Sequence, residues 1–356
     1  MKKRAIVMWL AVFILATVLA GCGKQAESEP TPSSKPEGEQ KEAAPVSMSI
    51  GLLKLTSSAP LFIAVEKGFF EEENIDASLK WFDAAQPIAV ATASGSVDVG
   101  ATGITASLYN MIAGGQKLTI VADKGREEKG YSSSALLVPA DSEVQTIADL
   151  KGKKVGITQT GSTYHYMIGR MLENHGLTLK DIELTPLNSI KGLMDSLNSK
   201  QVDAVLLNEP NISAVLKDGY GKVIAQVGDE IPYQTSGIFY SPKFAEDKDA
   251  AVRFLKAYAK ATRYYYDAVL VQEDGKIVPG ENYDEVVSII AKYTDQPEEN
   301  IKAGLPYMDP DGRLLAEDIQ TQIDWYAKEK LIEKAVEAST IVDTEMLEQA
   351  LKELGK

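Results

Sequence analysis

The chain of 356 residues is 44% hydrophobic and 25% charged, and its 51 acidic against 37 basic side chains leave a formal net charge of -14. This composition excludes a disordered or fibrous chain, and the length exceeds the roughly 250–300 residues at which a single core stops growing, so two lobes are expected. No Lys/Arg block follows the first four residues, and 1 cysteine and 2 histidines give no material for nucleic-acid binding, a disulfide or a multi-histidine metal centre.

Lys2-Lys3-Arg4 precedes an apolar run from Ala5 to Ala20, the order of a secretory signal and shorter than the about 20 residues a membrane span needs. The run ends in Leu19-Ala20-Gly21-Cys22, which resembles a bacterial lipobox, where small residues admit the peptidase and the thiol receives a diacylglyceryl group. Residues 1–21 are therefore expected to be a signal peptide and 22–45 a tether held to the membrane through lipidated Cys22; an uncleaved anchor with an incidental cysteine is the alternative. From Gly23 to Pro45 there are four prolines, five glutamates and no Leu, Ile, Val, Met or aromatic residue, too little apolar surface to fold. As a coil this segment reaches roughly 25–30 Å.

Val46, Met48, Ile50 and Leu52 alternate with Ser47, Ser49 and Gly51, the pattern of a half-buried strand. Thr56-Ser57-Ser58 follows as a polar loop, and Pro60 opens a helix that Gly68 stops, with Ser57 or Ser58 as its hydroxyl cap. The same unit runs from Val97-Asp98-Val99 through Thr102-Gly103 to Gly114-Gly115. It restarts at Lys154-Val155-Gly156-Ile157 with Gly161-Ser162-Thr163, and again at Val202 to Leu207 before Asn208-Glu209-Pro210. Leu118 to Val121 reads as a further strand and Glu127-Glu128-Lys129 as a solvated loop. Alternating strands and helices predict an α/β fold with mainly parallel sheets. Beyond Tyr240 the spacing is helical, over Asp249–Tyr266, Tyr283–Tyr293, Glu317–Leu331 and Thr344–Leu354. Asp309-Pro310-Asp311-Gly312 has the residues of a turn and lacks the spaced carboxylates of a calcium loop.

An ungapped shift of 105 residues sets the chain against itself in phase: Gly51 falls on Gly156, Ser57 on Ser162, Val97-Asp98 on Val202-Asp203 and Gly114 on Gly219. Two similarly built lobes follow. Ligands of open parallel sheets bind outside the carboxyl ends of the strands, where helix starts offer unpaired N–H groups; here Ser57, Ser58, Thr102, Ser162 and Thr163 add hydroxyls, a donor set suited to an oxyanion. Ordinary helix capping uses the same residues. Glu209 fits two roles equally, as a carboxylate at a helix start or as an acceptor for an amine on a zwitterionic solute. Ser162 and His165 lie three apart with no Asp placed to orient the histidine, so capping or ligand contact is favoured over catalysis.

Several ordered strings resemble the solute-binding proteins of ABC importers, in the group that binds nitrate, sulfonates, taurine and thiamine pyrimidine precursors. They are Ala59-Pro60-Leu61-Phe62-Ile63-Ala64-Val65-Glu66-Lys67-Gly68-Phe69-Phe70, Ser94-Gly95-Ser96-Val97-Asp98-Val99-Gly100, and Asp149-Leu150-Lys151-Gly152-Lys153-Lys154-Val155-Gly156, with Asp309-Pro310-Asp311-Gly312-Arg313 near the end. The resemblance implies a two-lobed, type II periplasmic-binding-protein-like α/β fold with a helical C-terminal extension. Lobe one would take 46–135 and 240–356, and lobe two 136–239. It also implies that Ser57-Ser58-Ala59, Thr102-Gly103, Gly161-Ser162-Thr163-Tyr164 and Asn208-Glu209 line a ligand cleft, that the protein is a monomer without cofactor or catalytic residues, and that its partners are a small solute, an ABC permease and an ATPase. Sulfonate and taurine binders often carry a Trp-Asp-Pro string where this chain has Asn208-Glu209-Pro210, so the solute itself stays open. A sensor lipoprotein and an enzyme on the same scaffold are the alternatives.

Overall fold

Alternation in Val46–Leu52 buries Met48, Ile50 and Leu52 and makes the strand β1. The structure, a computed structural model, describes residues 45–356 apart from Pro232 and Gly275; the expected signal segment, Cys22 and the tether up to residue 44 lie outside the described residues. After β1 come α1 (Ala59–Glu66), α2 (Phe69–Glu72), β2 (Ile75–Trp81), α3 (Ala85–Ala93), β3 (Val99–Gly103), α4 (Ala106–Ala113) and β4 (Thr119–Glu127). The chain then passes through β5 (Ser134–Pro139), β6 (Lys154–Ile157), α5 (Thr163–Asn174), β7 (Glu183–Pro186), α6 (Ile190–Asn198), β8 (Ala204–Asn208), α7 (Asn211–Asp218), β9 (Gly221–Gln226) and α8 (Val227–Glu230). It returns in β10 (Tyr233–Tyr240) and closes with α9 (Lys248–Val269), a short hairpin, α10 (Tyr283–Thr294), α11 (Glu298–Ala303), α12 (Ala316–Lys328) and α13 (Glu345–Glu353).

Two five-stranded sheets result, in the orders β2-β1-β3-β10-β4 and β7-β6-β8-β5-β9. In each, one strand runs against the rest: β10 pairs antiparallel with β3 and β4, and β5 with β8 and β9. Each reversed strand is the first after the chain crosses from the other sheet. Sheet membership changes over at residues 128–133 and 227–232, so 233–239 pair within the first sheet, seven residues earlier than the boundary at 239/240 that the resemblance implied. The two-lobed α/β architecture with a helical C-terminal part is as expected.

The 105-residue correspondence survives in hydrogen bonds. Asp98 Oδ2 accepts from Ser49 N at 2.8 Å, and its counterpart Asp203 Oδ2 accepts from Lys154 N at 2.7 Å. Each carboxylate, one residue before β3 or β8, ties that strand to the neighbouring β1 or β6. One core packs α1, α9, α10 and α13 around the first sheet; another surrounds the second sheet and runs into α12, where Trp325 and Tyr326 meet Tyr166 of α5. The C-terminal region thus reaches across to the second lobe.

Two local readings need correction. Glu127 is the end of β4 and only 1% exposed, not part of a solvated loop, because Ser132, Ser133 and Ser134 satisfy its carboxylate. Neither Ser57 nor Ser58 caps α1 through its side chain; a 3-10 turn over Thr56–Ser58 leads into the helix, and Ala59 N donates to Thr56 O.

Candidate functional site

The carboxyl ends of β1, β3, β6 and β8 converge on one cavity between the lobes, with about 650 Å³ of atom-free space including its open mouth. From the first lobe it receives Ser57 from the turn after β1, and Thr102 and Gly103 from the end of β3; from the second, Ser162, Thr163 and Tyr164 from the start of α5, and Asn208 from the end of β8. Ser57 and Ser162 are counterparts under the 105-residue shift, as are Gly103 and Asn208. Leu53, Leu55, Met167 and Ile190 supply an apolar wall, and Asp83 lies on the exposed rim.

Four expected residues lie off the cavity lining. Ser58 is fully buried and donates to Leu53 O at 3.0 Å, and Ala59 is sealed in the core under α1. Gly161 donates its N–H to His165 Nδ1 at 2.9 Å, and its carbonyl accepts from Ala106 N of the other lobe at 2.9 Å. Glu209 turns away from the cavity: its carboxylate accepts from Ser213 N at 3.0 Å in the first turn of α7 and packs on Gly304. Of its two expected roles the structure realises capping, and burial raises its pKa.

Ala106 to Gly161 is one of several contacts that hold the lobes together around the cavity. Thr56 Oγ1 donates to Glu209 O at 3.2 Å, and Tyr326 OH to Ser162 O at 3.3 Å. A Cβ on Gly103 would stand 2.7 Å from Thr163 Cγ2, so only glycine permits this approach of β3 to α5. Gly304 is pressed as closely by the Glu209 side chain. The lobes are closed on the cavity.

Sequence reasoning missed the cavity's most unusual member. Lys124, on β4, is 1% exposed, and its Nζ donates to Ser57 Oγ at 3.0 Å. Burial pushes its pKa down to about 7. The same lining holds Thr102 Oγ1, buried and without a hydrogen-bond partner among the described residues. Ser133 from the first crossing segment, Thr158 after β6, and Thr235 and Ser236 from β10 complete the hydroxyl lining. β4 continues past Val121 through four charged residues, Asp123, Lys124, Arg126 and Glu127, which a hydrophobic pattern does not follow.

A hydrogen-bonded chain leads from the cavity to the crossing segment. Tyr164 OH donates to Asn208 Oδ1, Asn208 Nδ2 donates to Ser134 Oγ at 2.7 Å, and Ser134 Oγ donates to Glu127. Ser132 Oγ donates to the same carboxylate at 2.7 Å and accepts from Gly228 N of the second crossing segment at 2.8 Å. His165 is no general base for Ser162. Its Nδ1 is taken by Gly161 N, its own N–H caps onto Ser162 Oγ at 3.3 Å, and burial against Trp325 pushes its pKa down to about 4. Among the described residues no group of His, Cys, Asp and Glu is arranged to hold a metal, and no helix is long and apolar enough to cross a membrane.

A family model described as NMT1/THI5 like matches residues 55–268. The chain belongs to the NMT1/THI5-like family. The matched span holds every cavity-lining residue of this NMT1/THI5-like chain except Leu53. The chain is 25% identical to a putative aliphatic sulfonates-binding protein of Bacillus subtilis (strain 168), over 99% of this chain and 98% of that one. It is 34% identical to a putative thiamine biosynthesis protein of Haemophilus influenzae, over 42% of this chain and 45% of that one. Among solved structures, the alkanesulfonate-binding protein of Xanthomonas axonopodis pv. citri bound to MOPS superposes with a TM-score of 0.71 at 22% identity, covering 85% of this chain and 99% of that one. The NMT1/THI5-like chain therefore has the periplasmic-binding-protein fold.

Proposed function

We propose that this protein is the extracytoplasmic solute-binding lipoprotein of an ABC importer, held to the membrane through lipidated Cys22. It captures one small organic solute between its lobes and delivers it to the permease and ATPase. One observation carries the reading: equivalent loops of two repeated lobes converge on a closed cavity lined by hydroxyls, one ammonium and an apolar wall. This donor set matches a sulfonate or similar oxyanion on a short carbon body, with the head on Ser57, Thr102 and the start of α5 and the tail against Leu53, Leu55, Met167 and Ile190. Affinity then comes from contacts that exist only when the lobes are closed, so binding drives closure. Without an oriented nucleophile and base, the geometry favours capture over catalysis.

An amino group on the solute, as in taurine, would meet Asp83 at the rim, since Glu209 is committed to α7. The partial match to a protein named for thiamine biosynthesis supports a second reading, capture of a pyrimidine precursor of thiamine. A thermal-shift panel of alkanesulfonates, taurine, nitrate, amino-pyrimidines and riboflavin separates the two, because a tight ligand raises the melting temperature by mass action. The first reading expects shifts from sulfonates, and shifts from pyrimidines alone would replace it by the second. Mass spectrometry of the exported protein tests the anchor: a diacylglyceryl-modified Cys22 as the first residue is expected, and an intact N-terminus at Met1 would refute it.

A further inference from the structure

Buried charge elsewhere in this fold has partners. Glu73, 9% exposed, holds Lys256 at 2.9 Å and Lys260 at 2.8 Å, one on each carboxylate oxygen. Lys124 is more deeply buried, yet among the described residues no carboxylate lies within ion-pair distance of it. Of the three hydrogens an ammonium can donate, Ser57 Oγ takes one. The Ser57 hydroxyl, which accepts from the lysine, has its own hydrogen left for another acceptor. Thr102 Oγ1 faces the same cavity with no partner. Three donors thus converge on one place with nothing to receive them.

The charged groups around Lys124 are otherwise engaged. On its own strand, Asp123 accepts from Gly125 N, Gln234 Nε2 and Asp309 N, Arg126 pairs with Glu128 and Tyr307, and Glu127 is held by the three serines. The Ser57 turn, β3, β10, Ser133 and the lining segments of the second lobe contribute no charged side chain; Asp83, on the rim, is the remaining charge in the lining.

We propose that Lys124, with Ser57 and Thr102, is the seat of the solute's anionic head group, held as an ammonium–anion pair in the closed cleft. This deepens the solute-binding reading and rests on it. Burial in the closed cleft works against the charged form of Lys124, and an anion beside it favours that form, so the lysine and the anion support each other there. Lys124 is then a specificity-determining residue that selects one negative charge and rejects the neutral isostere.

The test is calorimetry on the full chain with ethanesulfonate and its neutral analogue ethyl methyl sulfone, in Tris and in triethanolamine, neither of which is a sulfonate. The expected result is saturable binding of one ethanesulfonate per chain. The sulfone should bind at least about 100-fold more weakly. Lys124→Met should remove most of the affinity for ethanesulfonate and the discrimination against the sulfone, while raising the melting temperature of the ligand-free protein, because it deletes an uncompensated buried cation. Ethanesulfonate binding with full affinity in Lys124→Met overturns the seat and leaves the sulfonate reading standing. Failure of ethanesulfonate to bind, or equal binding of the sulfone, overturns both.

Discussion

Ser57 and Ser162 occupy the same place in the two lobes and line the same cavity, but their hydroxyls are committed differently. Ser162 Oγ accepts from His165 N and caps α5. Ser57 Oγ accepts from the Lys124 ammonium, and α1 has no side-chain cap at all. What precedes each helix makes the difference. In the first lobe a 3-10 turn takes up Ala59 N, and Pro60 has no N–H to satisfy, so the serine is released from capping. In the second lobe the position equivalent to Pro60 is His165, whose N–H needs the cap and whose ring holds Gly161. The second-lobe loop is built for rigidity, and the first-lobe loop is left with donors to give a ligand.

The largest effect that sharpens this contrast is acid sensitivity of the second-lobe loop. His165 titrates near 6.5 in the unfolded chain and at about 4 in the folded protein, so between those values the unfolded state binds more protons and stability falls as pH falls. Wild-type protein should lose on the order of 3 kcal/mol across this window in urea titrations. His165→Asn, which keeps an acceptor for Gly161 N, should not show this loss. Equal slopes in the two proteins would contradict the assignment.

Next is the asymmetry between Gly103 and its counterpart Asn208. Gly103→Val puts a side chain against Thr163, and overpacking at the closing interface should weaken solute affinity by about 2 kcal/mol, roughly 30-fold. The melting temperature of the empty protein should change little, since an opened cleft removes the clash. Small-angle scattering should show an expanded form that needs about 30-fold more solute to compact.

The two serines can be compared directly by paired substitution. Ser162→Ala should lower unfolding free energy by about 1 kcal/mol, the usual value of an N-cap. Ser57→Ala should leave stability within about 0.5 kcal/mol and weaken solute binding by roughly 5–10-fold, as for a hydrogen bond to a charged group. Identical stability losses would erase the distinction. The smallest effect is expected at Glu209, whose carboxylate faces α7. Glu209→Gln should change solute affinity by less than about two-fold, and a larger change would return the residue to the ligand.

Much of this arrangement was legible in the sequence. Alternation marked β1, the hydroxyl turns marked the helix starts, and the 105-residue shift announced the second lobe and set Asp98 on Asp203, though not the hydrogen bonds the two make. What escaped did so for physical reasons. A strand that runs into a ligand cleft ends in polar residues, so hydrophobic periodicity stopped at Val121 while β4 continued to Glu127. Lys124 was lost with it. A carboxylate before a helix satisfies a capping role and a ligand role equally well in one dimension, and only the position of Ser213 N and Gly304 decides for Glu209. Ser58 and Ala59 follow Ser57 directly, yet a tight turn points consecutive side chains in different directions, and those two face the core.

The account turns on the cavity between the lobes being where an anionic solute is held. A crystal structure of the full chain grown with saturating ethanesulfonate tests this most directly. It should show the sulfonate enclosed between closed lobes, its oxygens within hydrogen-bond distance of Lys124 Nζ, Ser57 Oγ and Thr102 Oγ1. A solute bound outside the cleft, or in it with the sulfonate turned away from Lys124, would contradict the account.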